Sequence, residues 1–244
     1  MLILRPATKL RHLDRGRRFC RRSGETPVFS FSCCLLRLFE ILKRMATLSD
    51  SAIAALLQPY LASPASLLPQ LSTYLDLLLK WNARTNLTAI REPEEIVRRH
   101  FGESLFAARH LGVEVDSLLD LGSGAGFPGL PIALLRPEVR VTLAESQNKK
   151  ASFLREVVRT LGISTEVWAG RAEAMPDARR FHTVALRAVD NMAAAVAAAE
   201  PRALRQVVLL TSTANAPALA EFPEQVRVAI PGSQSGVLLM VSRG

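Results

Sequence analysis

The sequence predicts an α/β fold in which a doubly wound, mainly parallel sheet follows an N-terminal helical layer. Three observations predict it. From Asp116 onward, short apolar runs alternate with helical stretches. A glycine-rich turn directly follows the first of those runs, and the segment before them carries its apolar residues at helical spacing.

In the helical segment, Asp50 to Leu61 and Ser66 to Trp81 place Leu, Ile and Tyr three and four positions apart, with Ser63-Pro64 as the break between them. Ser49 or Asp50 caps the first. Pro93 suits a first helical turn; Glu94, Glu95 and the apolar Ile96, Val97, Phe101, Leu105 and Phe106 then predict a third helix ending near Gly112. Strands are predicted at Ser117 to Leu121, Arg140 to Ala144, Thr165 to Ala169, Thr183 to Leu186, Gln206 to Thr211, Gln225 to Ile230 and Gly236 to Val241. Helices fill the gaps at Lys149 to Leu161 and Asn191 to Leu204. The last two strands have no helix between them, which predicts an antiparallel hairpin at the sheet edge. The expected division is therefore 1–44, a basic extension; 45–112, the helical segment; and 113–244, the sheet domain.

Charge and cysteines set the extension apart. The chain of 244 residues has a formal charge of +9, yet residues 1–45 hold eleven Lys/Arg against three acids, while the remainder is close to neutral. A broad basic face for nucleic acid is therefore not expected on the body. All three cysteines (Cys20, Cys33, Cys34) also lie in the extension, and the four histidines show no ligand spacing, so no disulfide framework and no metal site are expected. The extension reads as a secretory signal, a transit peptide or RNA-touching arm, or sequence upstream of a start at Met45. Arg37 and Glu40 interrupt the run that a secretory signal needs, and Met45 directly precedes a cleanly patterned helix, which favours the last reading. No uninterrupted apolar stretch reaches the roughly 18 residues of a membrane span, so a cytoplasmic protein with no membrane partner is expected.

The chemistry concentrates in Asp120-Leu-Gly-Ser-Gly-Ala-Gly-Phe-Pro-Gly129, between the first strand and a helix. Gly122, Gly124 and Gly126 permit positive φ and close approach of backbone to a ligand, and Pro128 and Pro131 suit the opening turn of the helix behind. Glu145 ends the second strand, where a carboxylate can accept both hydroxyls of a ribose. Together they describe a pocket for a nucleoside cofactor. Gly124-Ala-Gly126-Phe-Pro-Gly129 also satisfies the dinucleotide fingerprint, so a nucleotide-dependent oxidoreductase of NAD type is the rival. Against it, only 115 residues follow Gly129, too few for a second substrate domain, and Asp120 suits a ligand carrying sulfonium and ammonium charge better than a pyrophosphate.

Asn86-Leu-Thr, Arg99-His100 with Glu103-Ser-Leu, the glycine segment with Phe-Pro-Gly, Glu145-Ser with Lys149-Lys150, Arg171-Ala-Glu173 and Arg187-Ala188 occur in the order seen in the RsmG (GidB) family, which the sequence resembles from about Leu77 to Ala188. That resemblance implies a Rossmann-like class I methyltransferase sheet and a monomeric enzyme that uses S-adenosyl-L-methionine to methylate N7 of a guanine in the decoding-region loop of 16S ribosomal RNA. It places cofactor contacts on Gly122, Phe127, Ala172, Glu173 and Arg187, beside Gly124, Gly126 and Glu145 from the motif itself. Asn86, Arg98, Arg99, His100, Lys149 and Lys150 are the candidates for holding RNA or the small ribosomal subunit. No catalytic nucleophile or base is expected, because N7 carries an in-plane lone pair and loses no proton on methylation. A non-catalytic RNA-binding protein with a degenerate methyltransferase fold is the third reading. Three departures from the family pattern stand out: Glu103 where Asp is usual, His182 where an acid is usual, and Thr211-Ser212-Thr213 where a Lys-Gly pair is common.

Overall fold

The computed structural model describes residues 48–187, 191–215, 217, 219 and 221–243. The extension at 1–44, the start at Met45 and Ala188 lie outside them.

Helix α1 (Asp50–Leu57) is capped by Ser49, whose side chain accepts the Ala52 N–H. It ends four residues earlier than its periodicity predicts because Pro59 has no N–H to carry the helical ladder past Gln58, which itself still has helical backbone. A 3₁₀ turn leads into α2 (Leu68–Asn82), which has Pro69 in its first turn. Then α3 (Pro93–Glu95), a π-helical stretch (Ile96–Gly102) and α4 (Glu103–His110) follow one another directly. The π stretch shifts the helical register just where Arg98, Arg99 and His100 stand.

Seven strands follow: β1 (Ser117–Leu121), β2 (Arg140–Glu145), β3 (Glu166–Ala169), β4 (Phe181–Arg187), β5 (Ala203–Ser212), β6 (Glu224–Ala229) and β7 (Gly236–Ser242). They form one sheet in the order β3-β2-β1-β4-β5-β7-β6. The first five are parallel; β7 runs antiparallel between β5 and β6, so the predicted hairpin inserts its second strand inward. Helices α5 (Gly129–Leu135), α6 (Asn148–Leu161) and α7 (Met192–Ala199) connect the parallel strands. The predicted helix to Leu204 stops at Ala199, since Pro201 ends it and Ala203 already belongs to β5.

One core unites Ile53, Tyr74, Phe101 and Leu105 of the helical layer with Leu118, Leu143 and Leu238 of the sheet, so packing is continuous across residue 112. The other sheet face, Leu119, Val184, Val207 and Leu239, packs against Ala195 and Ala199 of α7. Strand order reverses between β1 and β4. In such sheets the crevice at that reversal, beyond the carboxyl ends of the strands, is where ligands bind.

Candidate functional site

The turn after β1 is bent onto β2: the Gly122 and Ser123 N–H groups both donate to the Ala144 carbonyl, at 2.9 and 3.0 Å. Gly122, Gly124 and Gly126 all take positive φ (74°, 58° and 93°). They serve different ends. A Cβ on Gly122 would meet nothing within 4 Å, and one on Gly124 only the Gly122 carbonyl at 3.8 Å, so these two present bare backbone to open space. A Cβ on Gly126 would collide with Leu130 and come within 2.6 Å of the Tyr74 hydroxyl. The missing side chain there accommodates the helical layer, a difference from the expected ligand contact. Tyr74, fully buried in α2, donates its hydroxyl to the Ala125 carbonyl and so anchors the turn from beneath.

Asp120 also departs from expectation. Its side chain is fully buried, and Oδ2 accepts the Gly129 N–H at 2.9 Å, capping α5 from within the strand. Burial pushes this carboxyl up to about 7, against the lowering effect of the Gly129 bond. The expected contact with a sulfonium is therefore corrected: Asp120 faces the start of α5, because the register of β1 beside Leu143 and Ala185 turns it inward. The same contact weakens the dinucleotide reading. A pyrophosphate needs the N–H groups of the following helix, and here a carboxylate already holds the Gly129 N–H.

Glu145, 5% exposed, ends β2 as predicted. Its Oε2 accepts the Gly124 N–H at 2.9 Å and its Oε1 the Gln147 N–H at 2.7 Å. The carboxylate thus ties the glycine turn to the next strand, and each oxygen keeps a second lone pair for a hydroxyl. Ala172 is buried at the start of a 3₁₀ turn beyond β3, with Glu173 exposed beside it.

Phe127 is buried, stacked on Tyr74 (centroids 5.3 Å, planes 14° apart) and on His100 (4.9 Å, 24°). Arg187, the last residue of β4, lies 5.9 Å over the same ring. Its guanidinium donates to His100 Nδ1 at 2.7 Å, to the Arg99 carbonyl at 2.7 Å and to Glu103 Oε2 at 2.9 Å. An arginine only donates, so His100 Nδ1 accepts and Nε2 carries the proton, donating to Thr88 Oγ1 at 2.7 Å. Burial, then Arg187 and Arg99, push His100 down to about 3, which keeps it neutral. Both ring nitrogens are committed; His100, expected as an RNA contact, is a packed residue that holds Arg187.

Comparison with known proteins places this geometry. The model of the rRNA small subunit methyltransferase G family, GidB, matches residues 67–229. The chain belongs to this family. Ribosomal RNA small subunit methyltransferase G of Stenotrophomonas maltophilia (strain K279a) is 47% identical over 150 residues, 60% of this chain and 70% of that protein. The Xylella fastidiosa (strain M23) protein of the same name is 50% identical over 123 residues, 50% of this chain and 57% of that protein. Among solved structures, the pyocyanin biosynthetic protein PhzM aligns with a TM-score of 0.51 at 15% identity, covering 68% of this chain and 61% of that one, a likeness of fold alone. The sheet is that of class I methyltransferases.

Within this GidB-family site the other singled-out residues fall apart into groups. Asn86 is exposed and its Oδ1 accepts from Arg91 at 2.9 Å. Arg98 and Arg99 are about half exposed and lie near Glu95 at 4.0 and 3.9 Å. Lys149 and Lys150 open α6, beyond the end of β2. The three departures also separate. His182 begins β4 at the far end of that strand from the site, its Nδ1 3.0 Å from Thr183 Oγ1. Glu103, Thr211 and Ser212, by contrast, line with Arg99, Arg187 and Ser235 a cavity of about 450 Å³ at the ends of β4 and β5. A second cavity of about 340 Å³ shares Arg99, Glu103 and Ser233 with it and continues past Arg98 to Tyr60. Sequence reasoning did not place Tyr74, Thr88 or Glu103 in the site. Tyr74 sits at an ordinary apolar helix position, and Glu103 enters the sequence reading only as part of the family motif and as a departure from it, without a role in the site. No helix among the described residues is long and apolar enough to cross a membrane.

Proposed function

We propose that the chain is an S-adenosyl-L-methionine-dependent methyltransferase that modifies N7 of a guanine in the decoding-region loop of 16S ribosomal RNA. The observation that carries the reading is the pairing of two open glycines, Gly122 and Gly124, with the Glu145 carboxylate across the ends of adjacent strands. The bare backbone leaves room for an adenosyl group, and Glu145 has free lone pairs for the ribose hydroxyls. Ala172 and Glu173, beyond β3, stand where the adenine would lie. When bound, the donor supplies an electrophilic sulfonium methyl to the ring nitrogen. The protein's own part is to orient and to exclude water: Arg187, fixed by three partners, is held rigidly in the wall of the cavity at the ends of β4 and β5. No group is required to take a proton, consistent with a His100 whose two nitrogens are both engaged. Lys149, Lys150, Arg98 and Arg99 would meet phosphates on either side of the target.

The test is transfer of a labelled methyl group to purified small subunits and to naked 16S RNA, with mapping of the modified position, beside calorimetry with S-adenosylhomocysteine and with NAD. Binding of NAD alone, or donor binding without methyl transfer to either substrate, would sink the reading.

A further inference from the structure

The larger cavity has one carboxylate in its wall among the described residues, Glu103, and that carboxylate is unusually placed. Its side chain is only 13% exposed and is held at 2.9 Å by Arg187, itself 9% exposed. Its other oxygen, Oε1, has Arg99 Nε as its neighbour at 3.8 Å, beyond hydrogen-bond distance. A largely buried carboxylate with acceptor capacity turned to a cavity is matched by a ligand edge made of donors. The rest of the wall suits a flat heterocycle: Leu210, Ile230 and Met192 supply apolar surface, and Thr211, Ser212 and Ser235 supply hydroxyls.

The four purine and pyrimidine bases differ on that edge. Guanine presents two adjacent donors, N1–H and the 2-amino group, which one carboxylate can accept together; adenine presents an acceptor and a donor. The order of groups around guanine is 2-amino, N1, O6, N7. In the protein the order is Glu103, then Arg187 bonded to it, then Phe127 and the glycine turn beneath Arg187. The two sequences run parallel, so a guanine seated on Glu103 brings O6 to Arg187, on the side of the base that leads to N7.

We propose that Glu103 determines base specificity, accepting the N1–H and 2-amino N–H of the target guanine while Arg187 donates to O6. This rests on the rRNA methyltransferase reading and adds the recognition of the base. Arg99 and Arg98, which line the continuous second cavity, then lie along the path of the flanking phosphates.

The experiment uses 16S RNA ligated to carry guanine, inosine or adenine at the mapped target position and assembled into subunits. Inosine lacks only the 2-amino group. The unaltered protein is expected to methylate the inosine substrate about ten- to a hundred-fold more slowly than guanine, the usual effect of one hydrogen bond to a charged group. In Glu103→Gln that ratio should shrink towards one, with slow transfer to both, because the amide replaces one of the two acceptor oxygens with an NH2 donor that opposes the guanine's second N–H. Glu103→Asp keeps the carboxylate and should keep the discrimination even if its rate falls, which separates recognition from loss of the Arg187 ion pair. S-adenosylhomocysteine affinity reports that each variant is folded. Equal rates on guanine and inosine by the unaltered protein, or full discrimination by Glu103→Gln, overturns the proposal while leaving the methyltransferase reading intact. No transfer to the guanine substrate removes both.

Discussion

Replacing Gly122 and Gly126 separately by alanine divides the glycine turn into a ligand half and a packing half. Both positions have positive φ, 74° and 93°, so each substitution costs the strain of an L residue there, about 1–2 kcal/mol. At Gly122 the new methyl meets nothing, and the strain is the whole effect on stability. At Gly126 it meets Leu130 and Tyr74, in the core that joins helices to sheet, which adds an overpacking cost of about 1–3 kcal/mol. For a chain of this size each kcal/mol moves Tm by about 2–4 °C. Gly122→Ala should therefore lower Tm by roughly 2–8 °C and Gly126→Ala by more, roughly 4–20 °C.

Binding should show the opposite ranking. On the proposed reading a methyl at Gly122 would occupy the cofactor's space, and a loss of S-adenosylhomocysteine affinity of at least tenfold is expected, equivalent to about 1.4 kcal/mol. Gly126→Ala, measured below its unfolding range, should retain most of its affinity. Calorimetric titration and thermal unfolding of the same preparations decide the matter. A Gly122→Ala protein that binds normally, or a Gly126→Ala protein as stable as the parent, would refute the assignment of the two glycines.

Three further outcomes are expected. Glu145→Ala releases the Gly124 N–H and, on the proposed reading, removes the charged acceptor for the ribose hydroxyls, so S-adenosylhomocysteine affinity should fall about ten- to a hundred-fold in calorimetry, with RNA affinity unchanged. Stability against pH tests two opposed buried groups. His100, at about 3 when folded against an ordinary 6.5, leaves the unfolded state holding the extra proton between those values, so its contribution makes stability fall as pH drops through 6.5. Asp120, at about 7 against 3.8, leaves the folded state holding the extra proton, so its contribution makes stability rise as pH drops from 7 to 3.8. Each slope is about 1.4 kcal/mol per pH unit, and they oppose across the shared window. Denaturant titrations should then show Asp120→Asn losing stability on acidification from 6.5, and His100→Asn gaining it from 7; matching profiles for the two variants would contradict this. Lys149→Ala with Lys150→Ala should weaken RNA binding and make its dependence on salt shallower, the logarithmic slope falling by about one for each phosphate that a lysine no longer neutralises, while S-adenosylhomocysteine affinity holds; an unchanged salt slope would remove both lysines from the interface.

The sheet was legible because parallel strands buried on both faces leave short apolar runs bounded by turn residues, and β1 matches its predicted span residue for residue. Helix ends were less so. The overruns at α1 and α7 came from following apolar content past Pro59 and Pro201, although each proline lacks the N–H that the next turn of helix would need. The π stretch carried no pattern of its own: Ile96, Val97 and Phe101 fit an α-helical period closely enough to hide the change of register. The hairpin was visible, but its inward insertion was not, since alternation along β6 and β7 is equally satisfied by either strand beside β5.

At the site, residues that act through backbone were readable and those that act through long-range packing were not. Glycines in a strand-to-helix turn signal close approach by themselves, and an acid at the next strand end signals its partner. Asp120, however, looks the same in sequence whether it faces a ligand or the helix behind, and only the register of β1 turns it inward. The helical layer misleads in the same way. Tyr74 occupies a position that periodicity assigns to a core and His100 one expected to contact RNA; both are packed, and one anchors the Ala125 carbonyl while the other fixes Arg187. Their polar atoms find partners 51 and 87 residues away. No local pattern encodes such a distance, and it is through these contacts that helices remote from the glycine turn define the edge of the site.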